Sequence, residues 1–255
     1  FKTLFPTSND DQSDEAMPGF SRRAALCAAN VDAQPGAEMS EGSWWQAFNT
    51  VTFAGDSIAS GLGIYDTGYH NAHYATYVSA GVQTFVNNVS VKNAVTGANE
   101  TPMETIAASQ PDYLYILVGT NNLVVQGSED SFIAYYERLI DMLREQLNPG
   151  VTIYIQSIPG VQEDVVASKP GLDNTRIAAV NDLLANMALR KGCYFVNIAE
   201  ALNQPDGSQI DEYEADGIHM QPVGYTAWCN YLATHTAWDR RNTYAGENPL
   251  YILGS

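Results

Sequence analysis

Short runs of β-forming apolar residues alternate along this chain with segments of helical periodicity, and this alternation constrains the fold more than any other feature. Five runs have the composition of buried strands: residues 50–55, 73–81, 113–119, 152–158 and 193–198. Strands that alternate with helices form a parallel sheet covered by helices on both faces. The sequence therefore predicts an α/β fold with a parallel sheet of about five strands between two helical layers.

Three helices are predicted from their ends as well as from their periodicity. Ser128 can cap one of them and Asp173 can cap the next, each just before apolar residues recur at helical spacing. A third helix is predicted from about Pro222 to Trp238. The apolar face of each helix is suited to covering the sheet.

The formal charge of −17 over 255 residues limits the partners of the chain. A strongly acidic protein repels phosphate backbones, so nucleic acid is not expected as a partner. No apolar run approaches the roughly 20 residues that cross a bilayer, so no transmembrane segment is predicted.

Three cysteines without a CxxC pair do not form a disulfide framework. Cys193 and Cys229 are expected to be buried thiols. A disulfide bond between them is the alternative.

Three polar blocks lie near the predicted ligand-binding edge of the sheet. GDS at residues 55–57 follows the first strand-like run, and GTNN at residues 119–122 follows the third. DGIH at residues 216–219 lies near the C-terminus. Ligands of parallel sheets bind at the carboxyl ends of the strands, so side chains from these blocks are expected to meet there.

The residue types in these blocks suit nucleophilic catalysis. A serine hydroxyl such as that of Ser57 is a weak nucleophile and needs a base to take its proton. His219 can serve as that base, and Asp216, three residues earlier, can fix the tautomer of its ring. The attacked carbonyl becomes an oxyanion, which Asn121 can stabilise with its side-chain N–H₂, together with backbone N–H groups of Ser57 and a glycine.

The blocks resemble those of the SGNH/GDSL hydrolase family, which is named for Ser, Gly, Asn and His in separate blocks. The resemblance covers residues from about Trp44 to Trp238. It implies a flavodoxin-like, three-layer α/β/α fold and hydrolysis of acyl esters, with Ser57, Asp216 and His219 as the catalytic residues. Asn122 departs from the family pattern, because the third block more often ends in Asp. Related acetylhydrolases tolerate that change.

Two glycines are candidates for the second block and for the oxyanion hole with Ser57 and Asn121. Gly81 follows the second strand-like run, while Gly97 in NAVTGA resembles the family block by local sequence. The stretch from Val89 to Gly97 could instead be a hairpin inserted after Gly81. Gly81 is the favoured candidate, because βαβ geometry places the end of the second strand beside the first.

A metal site is an alternative use of the histidines near residue 70. His70 and His73 stand three residues apart beside Asp66, but no third convincing ligand is apparent. The mechanism implied by the three blocks needs no metal or cofactor, so none is expected and activity should survive a chelator.

Four tyrosines in the same region allow a second interpretation. Tyr65, Tyr69, Tyr74 and Tyr77 could pack on the rings of a carbohydrate, or they could be core and strand residues. The core interpretation is favoured slightly.

The expected function is a serine-dependent carboxylic ester hydrolase whose partner is a small-molecule or carbohydrate ester. The enzyme is expected to remove short acyl groups, such as acetyl, from carbohydrate. The short-acyl preference is inferred because no apolar lid segment is apparent in the sequence. Acyl transfer to a polysaccharide hydroxyl is an alternative, decided by whether water is excluded. A non-catalytic flavodoxin-like binding module is another, but GDSIASGLG lacks the lysine of a phosphate loop and the spacing of GxGxxG.

Composition divides the chain into three parts. Residues 1–42 are rich in Asp, Ser, Asn and Pro and are expected to form a linker or surface arm. Residues 43–240 are expected to form the catalytic domain, and residues 241–255 a tail. The chain begins with Phe1 rather than Met, which suggests a removed upstream signal or anchor and an extracellular or cell-surface location.

Overall fold

The computed structural model describes residues 51–65, 67 and 72–235. The predicted arm at residues 1–42 and the predicted tail at residues 241–255 lie outside the described residues. The three-part division of the chain therefore stays a prediction, and the α/β unit is described from residue 51.

The described residues form a central sheet, a small hairpin and surrounding helices. The strands are β1 (Val51–Gly55), β2 (His73–Thr76), β3 (Val91–Lys92), β4 (Asn99–Glu100), β5 (Tyr113–Leu117), β6 (Thr152–Gln156) and β7 (Tyr194–Val196). The helices are α1 (Ser57–Ile64), α2 (Val82–Val86), α3 (Pro102–Ser109), α4 (Thr120–Leu123), α5 (Glu129–Gln146), α6 (Asn174–Arg190), α7 (Ala199–Leu202) and α8 (Pro222–His235). Among these helices none is long and apolar enough to cross a membrane.

The central sheet has five parallel strands in the order β2-β1-β5-β6-β7, and helices flank it. The predicted α/β class and the three-layer arrangement are confirmed. The chain order reverses direction at β1, because β2 lies on one side of it and β5 on the other. Such a reversal opens a crevice at the carboxyl ends of the strands, where ligands of these folds bind.

One aromatic ring from each strand forms a continuous ladder across the sheet. The rings stack with centroids 5.7, 5.2, 4.6 and 5.4 Å apart, in the order Tyr74, Phe53, Tyr115, Tyr154 and Tyr194. Each ring pairs in register with the next strand. A shift of one residue would turn its aromatic side chain to the other face, so the ladder favours a single register.

The five predicted strands are present, although the second is shorter than the run at residues 73–81. It ends at Thr76, after which Tyr77 bridges to Asn93 and Ser79 adopts a left-handed conformation with φ 60°. The turn at Ser79 stops the extended chain, because β-sheet pairing needs negative φ. The alternative of a hairpin after Gly81 is also present, as the antiparallel pair β3–β4.

The three predicted helices are present, but one predicted cap is wrong. Asp173 accepts a hydrogen bond from the Arg176 N–H at 2.7 Å and caps α6, as expected. Ser128 occupies the corresponding position of α5, yet its hydroxyl donates to the carbonyl oxygens of Asn122 and Val125 instead of accepting from the helix. The competing carbonyls belong to a tight segment just before the helix. The predicted end of α8 at Trp238 lies outside the described residues.

The two described cysteines fit the expectation of buried thiols. Cys193 and Cys229 are both buried and neither forms a disulfide bond, so no bond joins them. Burial raises the pKa of the Cys193 thiol to about 11, which keeps it protonated and unreactive near neutral pH.

Candidate active site

The GDS block forms the turn from β1 into α1. A Cβ on Gly55 would lie 2.1 Å from the Leu117 carbonyl oxygen, so only glycine allows β1 and β5 to approach this closely. Asp56 then caps α1 by accepting a hydrogen bond from the Ile58 N–H at 3.0 Å. This cap makes Ser57 the first residue of the helix, at the carboxyl edge of the sheet. Asp56 thus orders the turn around Ser57.

Three side chains from the ends of the domain meet at this edge. Ser57 Oγ lies 2.8 Å from His219 Nε2, although the two residues are 162 positions apart. His219 Nδ1 lies 2.8 Å from Asp216 Oδ2. The geometry is that of a nucleophile, a base within hydrogen-bond reach and an acceptor that orients the base.

The short DGIH segment builds its own scaffold for the histidine. Asp216 Oδ1 accepts hydrogen bonds from the backbone N–H groups of Ile218 at 3.1 Å and His219 at 2.8 Å. Gly217 has φ +87°, and this left-handed turn brings the carboxylate back to the ring. One carboxylate oxygen thus fixes the backbone while the other fixes the imidazole.

The environment of Asp216 favours its ionised form. Partial burial acts to raise the pKa of the carboxyl, but hydrogen bonds from the His219 N–H, the His219 ring and the Ile218 N–H outweigh it and hold the pKa below its ordinary value. The carboxylate is therefore available to stabilise an imidazolium on His219 near neutral pH.

Helix α8 ties the histidine segment to the rest of the site. The Tyr225 hydroxyl donates to the Ile58 carbonyl oxygen on α1 at 3.0 Å. The indole N–H of Trp228, which is fully buried, donates to Gln156 Oε1 at the end of β6. Because α8 starts three residues after His219, these two bonds limit movement of the histidine relative to Ser57.

Asn121 lies on α4, the single turn that follows β5. Its Nδ2 donates to the Ala80 carbonyl oxygen at 3.0 Å. An amide nitrogen carries two hydrogens, so the second remains to donate to a ligand. The backbone N–H of Ser57 is also available, because the first N–H groups of a helix have no partner inside it.

The structure places Gly81, rather than Gly97, beside the asparagines. Gly81 directly follows Ala80, and a Cβ on it would lie 2.9 Å from Asn122 Oδ1. Gly97 lies in the turn between β3 and β4, where its N–H donates to the Asn93 carbonyl oxygen. Gly81 is therefore the better placed of the two proposed oxyanion donors.

Sequence reasoning did not anticipate a contact of Gly81 with Thr84. The Gly81 N–H donates to Thr84 Oγ1 at 3.2 Å, as part of the cap of α2. The Gly81 N–H therefore already has a protein acceptor, and it can donate to an oxyanion only if the Thr84 side chain moves away. A Thr three residues after a Gly at a helix start is the sequence signal that could have indicated it.

Asn122, the departure from the family pattern, has a role that suits an amide. Its Oδ1 accepts a hydrogen bond from the Val82 N–H at 3.0 Å, and its Nδ2 donates to Gln83 Oε1 at 2.6 Å. An aspartate could make the first bond but not donate the second. Asn122 and Gln83 are thus a matched pair that joins α4 to the start of α2.

The remaining candidates from the sequence lie away from this site. Tyr77 is a fully buried core residue, whereas Tyr65 and Tyr74 line a cavity of about 760 Å³ that none of Ser57, Asp216 and His219 lines. Tyr69 lies outside the described residues. The sugar-binding interpretation of these tyrosines therefore gains no support from proximity to Ser57.

Most residues of the alternative metal site lie outside the part of the chain that the structure describes. Asp66 and His70 are not among the described residues, and His73 lies at the exposed start of β2. Within residues 51–65, 67 and 72–235, no three His, Cys, Asp or Glu side chains are grouped to hold a metal ion.

Asp56 is a buried carboxyl beside the nucleophile, and its titration affects stability. Its side chain is 1% exposed, and Oδ2 has no hydrogen-bond partner among the described residues. Burial raises its pKa from 3.8 to about 7, against the lowering effects of the Ile58 N–H and His219. A raised carboxyl pKa contributes stability that is present below about pH 4 and is lost as pH rises through about 7.

Asp56→Asn should therefore remove a pH-dependent loss of stability. Between pH 4 and pH 8 the variant should gain free energy of unfolding relative to the wild type, by up to about 4 kcal/mol for the full shift. Urea unfolding at several pH values measures this difference. Glu145→Gln, which removes one exposed charge from α5, is the control and should leave the pH dependence unchanged. Parallel pH profiles for Asp56→Asn and the wild type would show that folding does not raise the pKa of Asp56.

Comparison with solved structures identifies the same fold in distant bacterial proteins. A candidate acylhydrolase from Bacteroides fragilis NCTC 9343 is 14% identical, with a TM-score of 0.58 over 83% of this chain and 92% of that chain. A GDSL-like lipase from Bacteroides thetaiotaomicron VPI-5482 is 15% identical, with a TM-score of 0.58 over 73% of this chain and 87% of that chain. At these identities the likeness shows the fold alone.

Family membership is established by sequence. Among curated proteins no significant match is found. The model of the GDSL-like lipase/acylhydrolase family, however, matches residues 53–227, which is more than half of the chain and includes all three polar blocks. The fold, the strand-end positions of those blocks and this match agree, and the chain belongs to the GDSL-like lipase/acylhydrolase family.

Proposed function

We propose that the chain is a serine-dependent carboxylic ester hydrolase with Ser57 as nucleophile, His219 as general base and Asp216 as the residue that orients it. The observation that carries this proposal is the pair of 2.8 Å contacts that join Ser57, His219 and Asp216. Membership of the acylhydrolase family supports a hydrolase in general terms.

The proposed reaction proceeds in two halves through an acyl-enzyme. Ser57 Oγ attacks the ester carbonyl carbon while His219 Nε2 takes the hydroxyl proton. His219 then returns that proton to the departing alcohol, and the C–O bond of the ester breaks. In the second half, water attacks the acyl-enzyme with His219 again taking a proton, and the carboxylic acid leaves as Ser57 regains its hydrogen.

Donors near Ser57 are suited to the negative charge that develops on the carbonyl oxygen. The proposed oxyanion hole consists of the backbone N–H groups of Ser57 and Gly81 and the second Nδ2 hydrogen of Asn121. Fixed donors stabilise an oxyanion without reorganising during the reaction, which is the source of their catalytic effect.

Exposure of the site favours hydrolysis over acyl transfer. The side chains of His219 and Asp216 are 38% and 57% exposed. Water can therefore reach the acyl-enzyme, whereas an acyltransferase must keep water from the acceptor position. When an alcohol is added at low concentration, most of the acyl-enzyme should still react with water rather than with the alcohol.

Short acyl groups on carbohydrate are the proposed substrate class. The segment that leads into Asp216 carries exposed carboxylates, among them Asp211 and Glu212, which can accept hydrogen bonds from sugar hydroxyls. The same negative charge disfavours anionic lipid surfaces. An acetylated polysaccharide would be met outside the cell, which agrees with the expected extracellular or cell-surface location.

A series of p-nitrophenyl esters tests the acyl preference. We expect kcat/KM to fall about 10-fold or more from acetate to octanoate, because the site is open to solvent at His219 and Asp216 and added methylenes would stay largely in water. Release of acetate from acetylated xylan should accompany activity on the acetate ester. Faster turnover of octanoate than of acetate would contradict the short-acyl proposal and favour a lipase-like preference.

A further inference from the structure

Arg176, in the first turn of α6, is an arginine with an unusual set of partners. Its side chain is only 14% exposed, and its guanidinium reaches across to the segment that follows the asparagine block. Its nitrogens lie 2.5 to 3.3 Å from five acceptors: the carbonyl oxygens of Leu123, Val125 and Gly171, Glu129 Oε1 and Ser128 Oγ. Nearly every N–H of the guanidinium is thus directed at a protein acceptor.

Two of these acceptors lie at the end of the helix that carries Asn121. Helix α4 has only four residues, Thr120–Leu123, too few to be stable by their own hydrogen bonds. The last carbonyl groups of any helix also lack partners within it. Arg176 supplies partners for the Leu123 and Val125 carbonyls, and Leu123 is two residues from Asn121.

The backbone around this contact leaves little room for adjustment. A Cβ on Gly171 would lie 2.2 Å from the Leu123 carbonyl oxygen and 2.5 Å from that of Val124. The loop before α6 and the end of α4 are therefore in direct backbone contact. Arg176 binds carbonyls on both sides, Gly171 on one and Leu123 on the other, and so joins the two segments.

The charge of the guanidinium is balanced at the same place. Glu129, in the first turn of α5, accepts from Arg176 Nε at 2.5 Å, and this hydrogen bond holds the pKa of the Glu129 carboxyl below its ordinary value. A lysine could neutralise Glu129 but could not direct several planar donors at separate carbonyls. The arrangement therefore depends on arginine rather than on positive charge alone.

We propose that Arg176 is a positioning residue for ester hydrolysis, which fixes the end of α4 so that the Asn121 amide stays directed at the oxyanion. This inference rests on the proposed function. The Ala80 carbonyl holds the Asn121 amide from the side of β2, and Arg176 holds its helix from the side of α6. A small displacement of an oxyanion donor lowers the rate of the chemical step and leaves ground-state binding nearly unchanged.

Arg176→Lys tests the proposal with p-nitrophenyl acetate as the probe. We expect kcat to fall about 10-fold or more with KM within about twofold of the wild type. Arg190→Lys is the matched control, because Arg190 lies on the same helix in an exposed pair with Glu137, and its kinetics should be unchanged. Circular dichroism at the assay temperature verifies that each variant is folded.

A double-mutant cycle separates positioning from general destabilisation. If Arg176 acts through Asn121, Arg176→Lys should have less than about a twofold effect on kcat in an Asn121→Ala background. An effect of equal size in both backgrounds would overturn the proposal, as would a change in KM alone. If Arg176→Lys does not fold, Glu129→Gln, which weakens one contact of Arg176 and keeps the arginine, should show the same coupling at smaller size.

The outcomes also separate this inference from the proposed function. Absence of ester turnover in the wild type would overturn both. Ester turnover that depends on Ser57 but shows no coupling between Arg176 and Asn121 would overturn the role of Arg176 alone.

Discussion

Replacing Ser57 with alanine should lower kcat for p-nitrophenyl acetate by about 10⁴-fold or more and leave the fold intact. The variant lacks the oxygen that attacks the carbonyl, while the site keeps only the rate enhancement of its remaining donors. Ser57 is partly exposed at the start of α1, and its Oγ contacts His219 rather than the core. Initial rates at saturating substrate, with thermal unfolding as the check on folding, measure the effect.

Two further variants are controls for the same prediction. His219→Ala should cost about as much as Ser57→Ala, and the double variant should be little worse than either, because the two residues act as a unit. Asp216→Ala should cost less, since a poorly oriented histidine can still accept a proton. Wild-type turnover by Ser57→Ala would show that the nucleophile is another group.

Replacing Asn121 with alanine should lower kcat about 10²–10³-fold with little change in KM. The Nδ2 hydrogen that is not bonded to Ala80 is proposed to donate to the oxyanion, and such a donor acts mainly in the transition state. Asn121→Asp is the sharper variant, because it keeps the shape of the side chain but replaces the donor with a negative charge. We expect it to be less active than Asn121→Ala.

Steady-state kinetics on both variants distinguish two roles for Asn121. A loss confined to kcat agrees with an oxyanion donor. A rise in KM with unchanged kcat would mean that Asn121 binds the substrate in its ground state, and the oxyanion hole would then need a different side-chain donor.

Much of the fold and of the candidate site was predictable because their signals are local. The buried strands are short apolar runs. Strand β1 ends at Gly55, the first residue of the GDS block, and β5 ends at Leu117, two residues before the GTNN block. Parallel pairing of β1 with β5 brings the ends of these strands to one edge, so the placement of Ser57 and Asn121 at that edge follows from strand order. The histidine segment was predictable for a different reason, since Asp216 and His219 are close enough in sequence to form their contacts within one turn.

The parts that were missed depend on contacts and backbone conformations that the sequence pattern does not show. The end of β2 is set by Asn93 and the left-handed Ser79, neither of which the run at residues 73–81 reveals. Ser128 has the sequence position of a cap, but nearby carbonyls take its hydroxyl. A basic residue in a first helical turn is unfavourable for the helix dipole, so the sequence alone gives Arg176 no role. The role proposed for Arg176 emerges only from its contacts with the carbonyl oxygens of Leu123, Val125 and Gly171.

Covalent labelling of the nucleophile tests the central claim most directly. A fluorophosphonate should react with the activated serine, forming a phosphorus–oxygen bond to Ser57 Oγ with release of fluoride. Mass spectrometry of the intact wild-type protein should show a single adduct, and peptide mapping should place it on Ser57. Ser57→Ala should remain unlabelled, and His219→Ala should label far more slowly. An adduct on any other residue, or equal labelling and turnover in Ser57→Ala, would contradict the assignment of Ser57 as the nucleophile.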